Sequence, residues 1–240
     1  MAESEATGAS GDSPVAAVLF DIDGTLITTG GAGEAAWSRA FDDLYGVAVE
    51  VSDYTTTGIA DPEVARLSFR GALGRDPTHR ELARLMGCQL RHLPQAVADS
   101  DGYVVMPGVE ELLDRLIDTG HLLGLTTGNL EAAAHIKLSR ANLNRFFSFG
   151  GYGSDSGDRT ELTRRATERA RAISGEAIDA SECVSVGDTP HDVAAGHGAS
   201  IRVVGVATGR YELGELRDAG ADFALATLRD WPPALEGSVR

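Results

Sequence analysis

The stretch "VLFDIDGTLI", residues 18–27, runs an apolar strand into two carboxylates spaced by two, Asp21 and Asp23, and then into a Gly-Thr turn. Val18, Leu19 and Phe20 are β-formers without polar alternation, the pattern of a strand covered on both faces of a parallel sheet. Residues two apart on a strand point to the same side, so the two acids repel unless the strand ends there and a cation lies between them. Gly24 lets the chain leave the strand sharply, and Thr25 adds a hydroxyl at the same spot. Asp-Gly is also common turn chemistry, so a strand-end turn with solvated acids is the competing reading.

Further strand-like runs follow: "HLLGLTT" (121–127), a weaker "FFSFGG" (146–151), "CVSVGD" (183–188) and "IRVVGVA" (201–207). Helical patterns such as "PGVEELLDRLIDTG" and "TELTRRATERARAI" lie between them, the alternation of an α/β doubly wound parallel sheet. From residue 32 to 103 there is no convincing buried strand. Helical stretches fill it instead: "GEAAWSRAFDDLYG", "DPEVARLSFRGALG" and "THRELARLMGCQLRHL". We read a helical domain at 32–103 inserted into a core made of 15–31 and 104–232, after a loose tail at 1–14 rich in Gly, Ser and Ala. "MPGVEEL" (106–112) is expected to resume the sheet, with Pro107 near a helix start. Trp37, Ala40, Phe41 and Leu44 fall at helical spacing and read as core.

Composition bounds the function. With 240 residues, 42% of them hydrophobic, the chain can fill a sizeable core. A net charge of −15 argues against a general nucleic-acid or anionic-membrane surface, so an anionic substrate needs a metal or local positive charge. No run reaches membrane-spanning length, and the N-terminus lacks the basic end and apolar core of a secretory signal. Cys88 and Cys183 read as small packed hydrophobes, which fits a reducing cytoplasm. Lys137 is the only lysine among 21 basic residues.

Two other strands end suggestively. "LGLTTGN" closes on Thr126, Thr127, Gly128 and Asn129, offering hydroxyls and free N–H groups at a helix start, where an anion is favoured and where N-capping is equally ordinary. "VSVGDTPHD" closes on Asp188 and Asp192 around a Thr-Pro turn. In an open α/β sheet ligands sit beyond the carboxyl ends of the strands, and all these groups arrive at that edge. Hard oxygen ligands without a His or Cys cluster point to magnesium rather than zinc.

With "DIDGT", "TTGN" and "GDTPHD" in this order over residues 15 to about 230, the chain resembles the haloacid-dehalogenase superfamily phosphatases of the phosphoglycolate-phosphatase-like type, whose helical cap lies between the first two motifs. The resemblance implies a Rossmann-like core and hydrolysis of a small phosphorylated metabolite. Asp21 would be the nucleophile that becomes an aspartyl phosphate, and Asp23 the acid and then base. Magnesium would be held by Asp21, the Asp23 backbone carbonyl and Asp188, with Asp192 ordering its waters or a neighbouring cation. Thr127 and its neighbours Thr126, Gly128 and Asn129, with Gly24 and Thr25, would hold phosphate oxygens.

The third motif of such proteins, a Lys-Pro pair, is missing. "SGDRTEL" offers Arg159 in its place, whose fork of donors suits phosphate. Lys137 is the alternative, about two helical turns from the strand end; we favour Arg159. Asp23 argues against the dehalogenase branch, and an insertion without lysine against the phosphonatase branch. A phosphomutase of the β-phosphoglucomutase type or a non-catalytic binding module are the remaining alternatives, as monomer or homodimer. Substrate choice would fall to the hinge at Thr28, Thr29, Gly30 and Gly31 and to the loop from Thr55 to Asp61.

Overall fold

The computed structural model describes residues 15–175 and 178–236; the tail expected at 1–14 lies outside them. Strand β1 (Ala17–Phe20) leads through the short β2 (Ile27–Thr29) into helices α1 (Ala32–Tyr45), α2 (Asp61–Leu73) and α3 (His79–Asp99), and the chain returns along β3 (Tyr103–Val105). Then follow α4 (Val109–Asp118), β4 (Leu122–Thr127), α5 (Glu131–Ser139), β5 (Phe149–Tyr152), α6 (Arg159–Ser174), β6 (Cys183–Gly187), α7 (Pro190–Gly198), β7 (Arg202–Val206), α8 (Leu213–Asp218) and β8 (Phe223–Leu225).

Six strands form one parallel sheet in the order β5-β4-β1-β6-β7-β8. Its central strand is buried on both faces, as the opening stretch requires. Val18 and Phe20 pack with Leu112, Leu113 and Leu116 of α4, while Ala17 and Leu19 pack with Ala166 and Ala170 of α6. In register, Phe20 stands opposite Leu125 on one side and Val186 on the other, so β4, β1 and β6 finish level with one another. The Asp21 N–H donates to the Val186 carbonyl at 2.9 Å. This alignment brings three sequence-distant loops to one edge.

Two expectations are corrected. "MPGVEEL" adds no strand to the sheet: β3 precedes it, Gly108 caps α4, and the next sheet strand is β4. The weak run at 146–151 begins as a turn of 3-10 helix and becomes strand only at Phe149. Two features are additional: β8 at the sheet edge, and an antiparallel ribbon of β2 and β3 where the chain leaves and re-enters the sheet region. Three-residue strands carry too little pattern to be read from sequence. At the ribbon's end Gly30, with φ 58°, lies so close to Gly102 that a Cβ on it would sit 2.5 Å from the Gly102 backbone.

The helices α1 to α3 hold an apolar cluster of their own, including Trp37, Ala40, Phe41, Phe69 and Leu85. Helix α3 is fixed at its start by a reciprocal cap between Thr78 and Glu81. It runs on through Pro94 to Asp99, although an internal proline costs a helix about 3 kcal/mol. Burial offsets this: Leu93, Ala96 and Val97 pack against Ala32 and Ala36 of α1 and Ala133 of α5. Leu93→Ala should therefore destabilise the protein by about 2–5 kcal/mol in urea unfolding; a loss below about 1 kcal/mol would show that this cluster does not hold the end of α3.

Candidate active site

At the carboxyl edge of the sheet lies a pocket of about 420 Å³. Asp21, Asp23, Thr127, Gly128, Asn129, Lys137, Arg159 and Thr189 line it from the sheet side. Trp37, the loop from Thr55 to Ile59, and Asp61 line it from the helical insertion. Trp37 thus serves both the insertion's core and the pocket wall.

Asp21, Asp188 and Asp192 are all buried, with carboxylate oxygens within 4.8 Å of one another. Burial, then the neighbouring acids, pushes the Asp188 carboxyl up to about 8. Burial also pushes Asp21 up to about 7; Arg159 opposes the rise, and Asp192 and Asp23 add to it. Arg159, on the first turn of α6, donates to Asp192 and stands 3.7 Å from Asp21. Asp192 also accepts from the Thr189 hydroxyl at 2.6 Å and N–H at 3.1 Å, closing the cap of α7. Among the described residues, the side chain that donates to Asp188 is Thr25, through its hydroxyl at 3.2 Å. Gly24 and Gly209 leave it room, since a Cβ on either would overlap its carboxylate.

Asp23 occupies different surroundings. Its side chain is 41% exposed against 9% for Asp21, although the two leave the same strand end. Lys137 Nζ donates to Asp23 Oδ2 at 2.6 Å and to Asn129 Oδ1 at 2.6 Å. Asn129 Nδ2 in turn donates to Asp23 at 2.8 Å and to the Thr127 hydroxyl at 2.8 Å. Burial works against the Lys137 charge, but Asp23, Asp61 and Asp21 outweigh it and hold its pKa above the usual lysine value. Both candidate cations therefore reach the site, beside different acids: Arg159 by Asp21 and Asp192, Lys137 by Asp23.

Thr127 does not cap α5, whose N-cap is Leu130 without a side-chain bond, so its hydroxyl stays at the pocket. Thr126, one residue earlier on the strand, turns the other way and bonds Thr163 of α6 at 3.0 Å. It does not line the pocket. Gly24 and Thr25 likewise stand behind the pocket wall, packed around Asp188.

A profile of the haloacid dehalogenase-like hydrolases matches residues 15–200. The chain belongs to that family. Comparison with curated proteins returns no match. Among solved structures, this hydrolase is similar to CbbY from Rhodobacter sphaeroides in complex with phosphate, at TM-score 0.71 and 21% identity over 90% of this chain and 96% of that one. It is similar to a β-phosphoglucomutase from Clostridium difficile, at TM-score 0.70 and 16% identity over 91% and 94%. A predicted phosphoglycolate phosphatase from Haemophilus somnus gives TM-score 0.69 and 19% identity over 92% and 97%. At these identities the likeness is one of fold.

Sequence reading had missed two contributors to this site, Gly209 and Arg210, and had reached a third, Asp61, only as the end of the Thr55–Asp61 loop, without its role. Asp61 opens α2, accepts the Leu130 N–H at 2.8 Å and donates its own N–H to the Gly128 carbonyl at 2.8 Å, tying the insertion to the loop after β4. Burial raises its pKa, opposed by Lys137. Arg210 reaches the pocket from the loop after β7, and the adjacent Gly209 clears space for Asp188. None of the three sits in a motif; "DPE" reads as an ordinary helix start and "TGR" as an ordinary loop.

The raised carboxyls set a pH dependence. Between the usual carboxylate range and about pH 8 the folded, cation-free chain retains protons on Asp21 and Asp188 that the unfolded chain has released. Its stability contribution from these groups therefore falls as pH rises through that window. In EDTA the melting temperature of the wild type should drop from pH 5 to pH 8 more steeply than that of Asp188→Asn, and an added divalent cation should restore more at pH 8 than at pH 5. Parallel pH profiles for the two proteins would show that this cluster is not the source.

Proposed function

We propose that the protein hydrolyses a small-molecule phosphate monoester, with magnesium, through a phosphorylated Asp21. The observation that carries this is the contrast between two acids on one strand end. Asp21 is enclosed beside Arg159, Asp188 and Asp192, whereas Asp23 faces the pocket on a rigid Lys137–Asn129 support. Paired acids in unlike surroundings divide the labour of nucleophile and proton carrier.

The donor set fits a hard divalent cation. Three buried carboxylates face one neighbouring guanidinium, and Asp188 has no cation of its own among the described contacts. Asp21, Asp188 and the Asp23 carbonyl would hold magnesium, with Asp192 behind them, and the ion would neutralise the repulsion between a carboxylate and a phosphate ester.

An Asp21 oxygen forms a bond to phosphorus as the ester P–O bond breaks, while Asp23 gives its proton to the departing alkoxide. Asp23 then takes a proton from water, which attacks phosphorus and returns Asp21 to a carboxylate. Thr127 and the N–H groups after it, with Arg159, hold the oxygens that are not transferred. Asn129 and Lys137 fix the Asp23 carboxyl, and Asp192 fixes Arg159. Arg159 fills the role of the missing third-motif lysine, because it is the cation beside Asp21. A pocket of this size lined by threonines and Arg210 suits a small polar ester, and phosphoglycolate is the first substrate to assay. The reading places the enzyme in the cytoplasm, where its two unpaired buried cysteines are stable.

Asp21→Asn should abolish magnesium-dependent phosphate release with an unchanged circular dichroism spectrum. Asp23→Asn should lose more on alkyl than on activated aryl phosphates, since only poor leaving groups need the proton. Residual turnover near wild type in the first variant, or equal losses on both esters in the second, rejects the mechanism. Conversion of a sugar 1-phosphate to its 6-phosphate without release would assign a mutase instead.

The two cations separate by the same substrates. Arg159→Ala should cost roughly a hundredfold or more in turnover on any ester, the scale of a deleted transition-state donor. Lys137→Ala should follow the Asp23 pattern, with the larger loss on alkyl esters. The reverse assignment of losses would transfer the third-motif role to Lys137.

A further inference from the structure

A second group of ligating side chains lies away from the pocket, between α1 and α3. Asp43 comes from α1; Cys88 and His92, four apart, share one face of α3. One ligand atom from each lies within 4.8 Å of the others. His92 Nε2 is 2.8 Å from Asp43 Oδ2, and Cys88 Sγ is 3.9 Å from that oxygen. In a tetrahedral zinc site, bonds of about 2.0–2.3 Å place neighbouring ligand atoms roughly 3.3–3.7 Å apart. The two distances at Asp43 Oδ2 each lie within about half an ångström of that spacing, and the third side of the triangle, Cys88 to His92, is no longer than 4.8 Å.

A cation already holds the place. Arg91 Nη2 lies 2.9 Å from Cys88 Sγ and 3.4 Å from Asp43 Oδ2. The Arg91 side chain is 66% exposed and can swing into water, and Asp43 and His92 are open enough to admit an ion. Cys88 itself is 4% exposed and faces the cluster from the apolar core. Once the Cys88 thiol gives up its proton, thiolate and carboxylate carry two negative charges against one on the guanidinium, and a divalent ion balances both.

We propose that Asp43, Cys88 and His92 form a binding site for a borderline-soft divalent metal of the zinc class, which displaces Arg91 and leaves a fourth position to water. The mixed sulfur, nitrogen and carboxylate set selects such an ion over magnesium, whereas the all-oxygen cluster at Asp21 has the opposite preference. Binding releases the thiol proton and ties α1 to α3. Helix α1 also carries Trp37 to the pocket wall, so the ion stiffens the insertion without touching substrate.

The test is cobalt(II) titration of the full chain in excess magnesium, which occupies the carboxylate cluster. Only a thiolate ligand produces the near-ultraviolet sulfur-to-cobalt absorption, so the readout is independent of enzymatic activity and of the phosphatase reading. The band should saturate at one equivalent, vanish in Cys88→Ser and persist in Cys183→Ser. Competition by zinc should abolish it and raise the melting temperature of the wild type. His92→Gln, at a partly exposed position where folding is not in question, should weaken binding about tenfold or more, at least the loss seen on removing an outer partner of a metal ligand. Arg91→Ala should tighten it. Absence of the band, its survival in Cys88→Ser, or unchanged affinity in both His92→Gln and Arg91→Ala would overturn the proposal.

Discussion

Mutual repulsion among Asp21, Asp188 and Asp192 is the constraint around which the rest of the structure is arranged. At separations within 4.8 Å, each ionised pair repels by about 3 kcal/mol or more at an effective dielectric near 20. Several such pairs would rival the whole stability of a domain. The topology makes the crowding unavoidable, because β1 and β6 are neighbours in register and both end in acids. Compensation comes from Arg159 on α6, from the Thr25 and Thr189 hydroxyls, and from a divalent cation in the proposed working state. Two glycines keep side chains out of the space that Asp188 occupies.

Asp23 escapes this enclosure because the chain turns at Gly24 and directs it to the pocket. Its partners come from the loop and helix after β4, so the strand end that bears the acids and the strand end that bears Thr127 are coupled through Asn129 and Lys137. The helical insertion then closes the arrangement from the other side. Asp61 clasps the backbone on both sides of Asn129, through the Gly128 carbonyl and the Leu130 N–H. A displacement of the insertion is thereby felt at the residue that orients Asp23, which gives a physical route from substrate-dependent closure to the reacting groups.

The insertion holds together through its own apolar cluster and through the seam that α3 makes with α1 and α5. That seam overrides a proline inside α3. The proposed Asp43–Cys88–His92 site lies between α1 and α3, where a bound ion would add to the apolar packing and to the His92–Asp43 and Arg91–Asp43 contacts already present.

Much of this was legible in one dimension. Consecutive apolar residues at 18–20 require burial on both faces, and a strand period of two puts Asp21 and Asp23 on one side, so a parallel sheet and a charged strand end follow from local stereochemistry. The motifs at 126–129 and 188–192 are local in the same sense. The short β2, β3 and β8 were not legible, because three residues carry no periodicity and exist only by pairing with a partner. Nor did spacing settle which cation serves which acid. Lys137, two turns from the strand end, reaches Asp23 only because α5 packs its Ala134 and Leu138 onto the same apolar core as β1, and Arg159 reaches Asp21 only because α6 packs against β4, β1 and α7. Sequence determined which chemical groups are present and which way a strand or helix presents them. Their pairing across loops, the clasp by Asp61 and the convergence of Asp43 with Cys88 and His92 belong to tertiary structure, since distances between elements are set by packing and not by the chain that joins them.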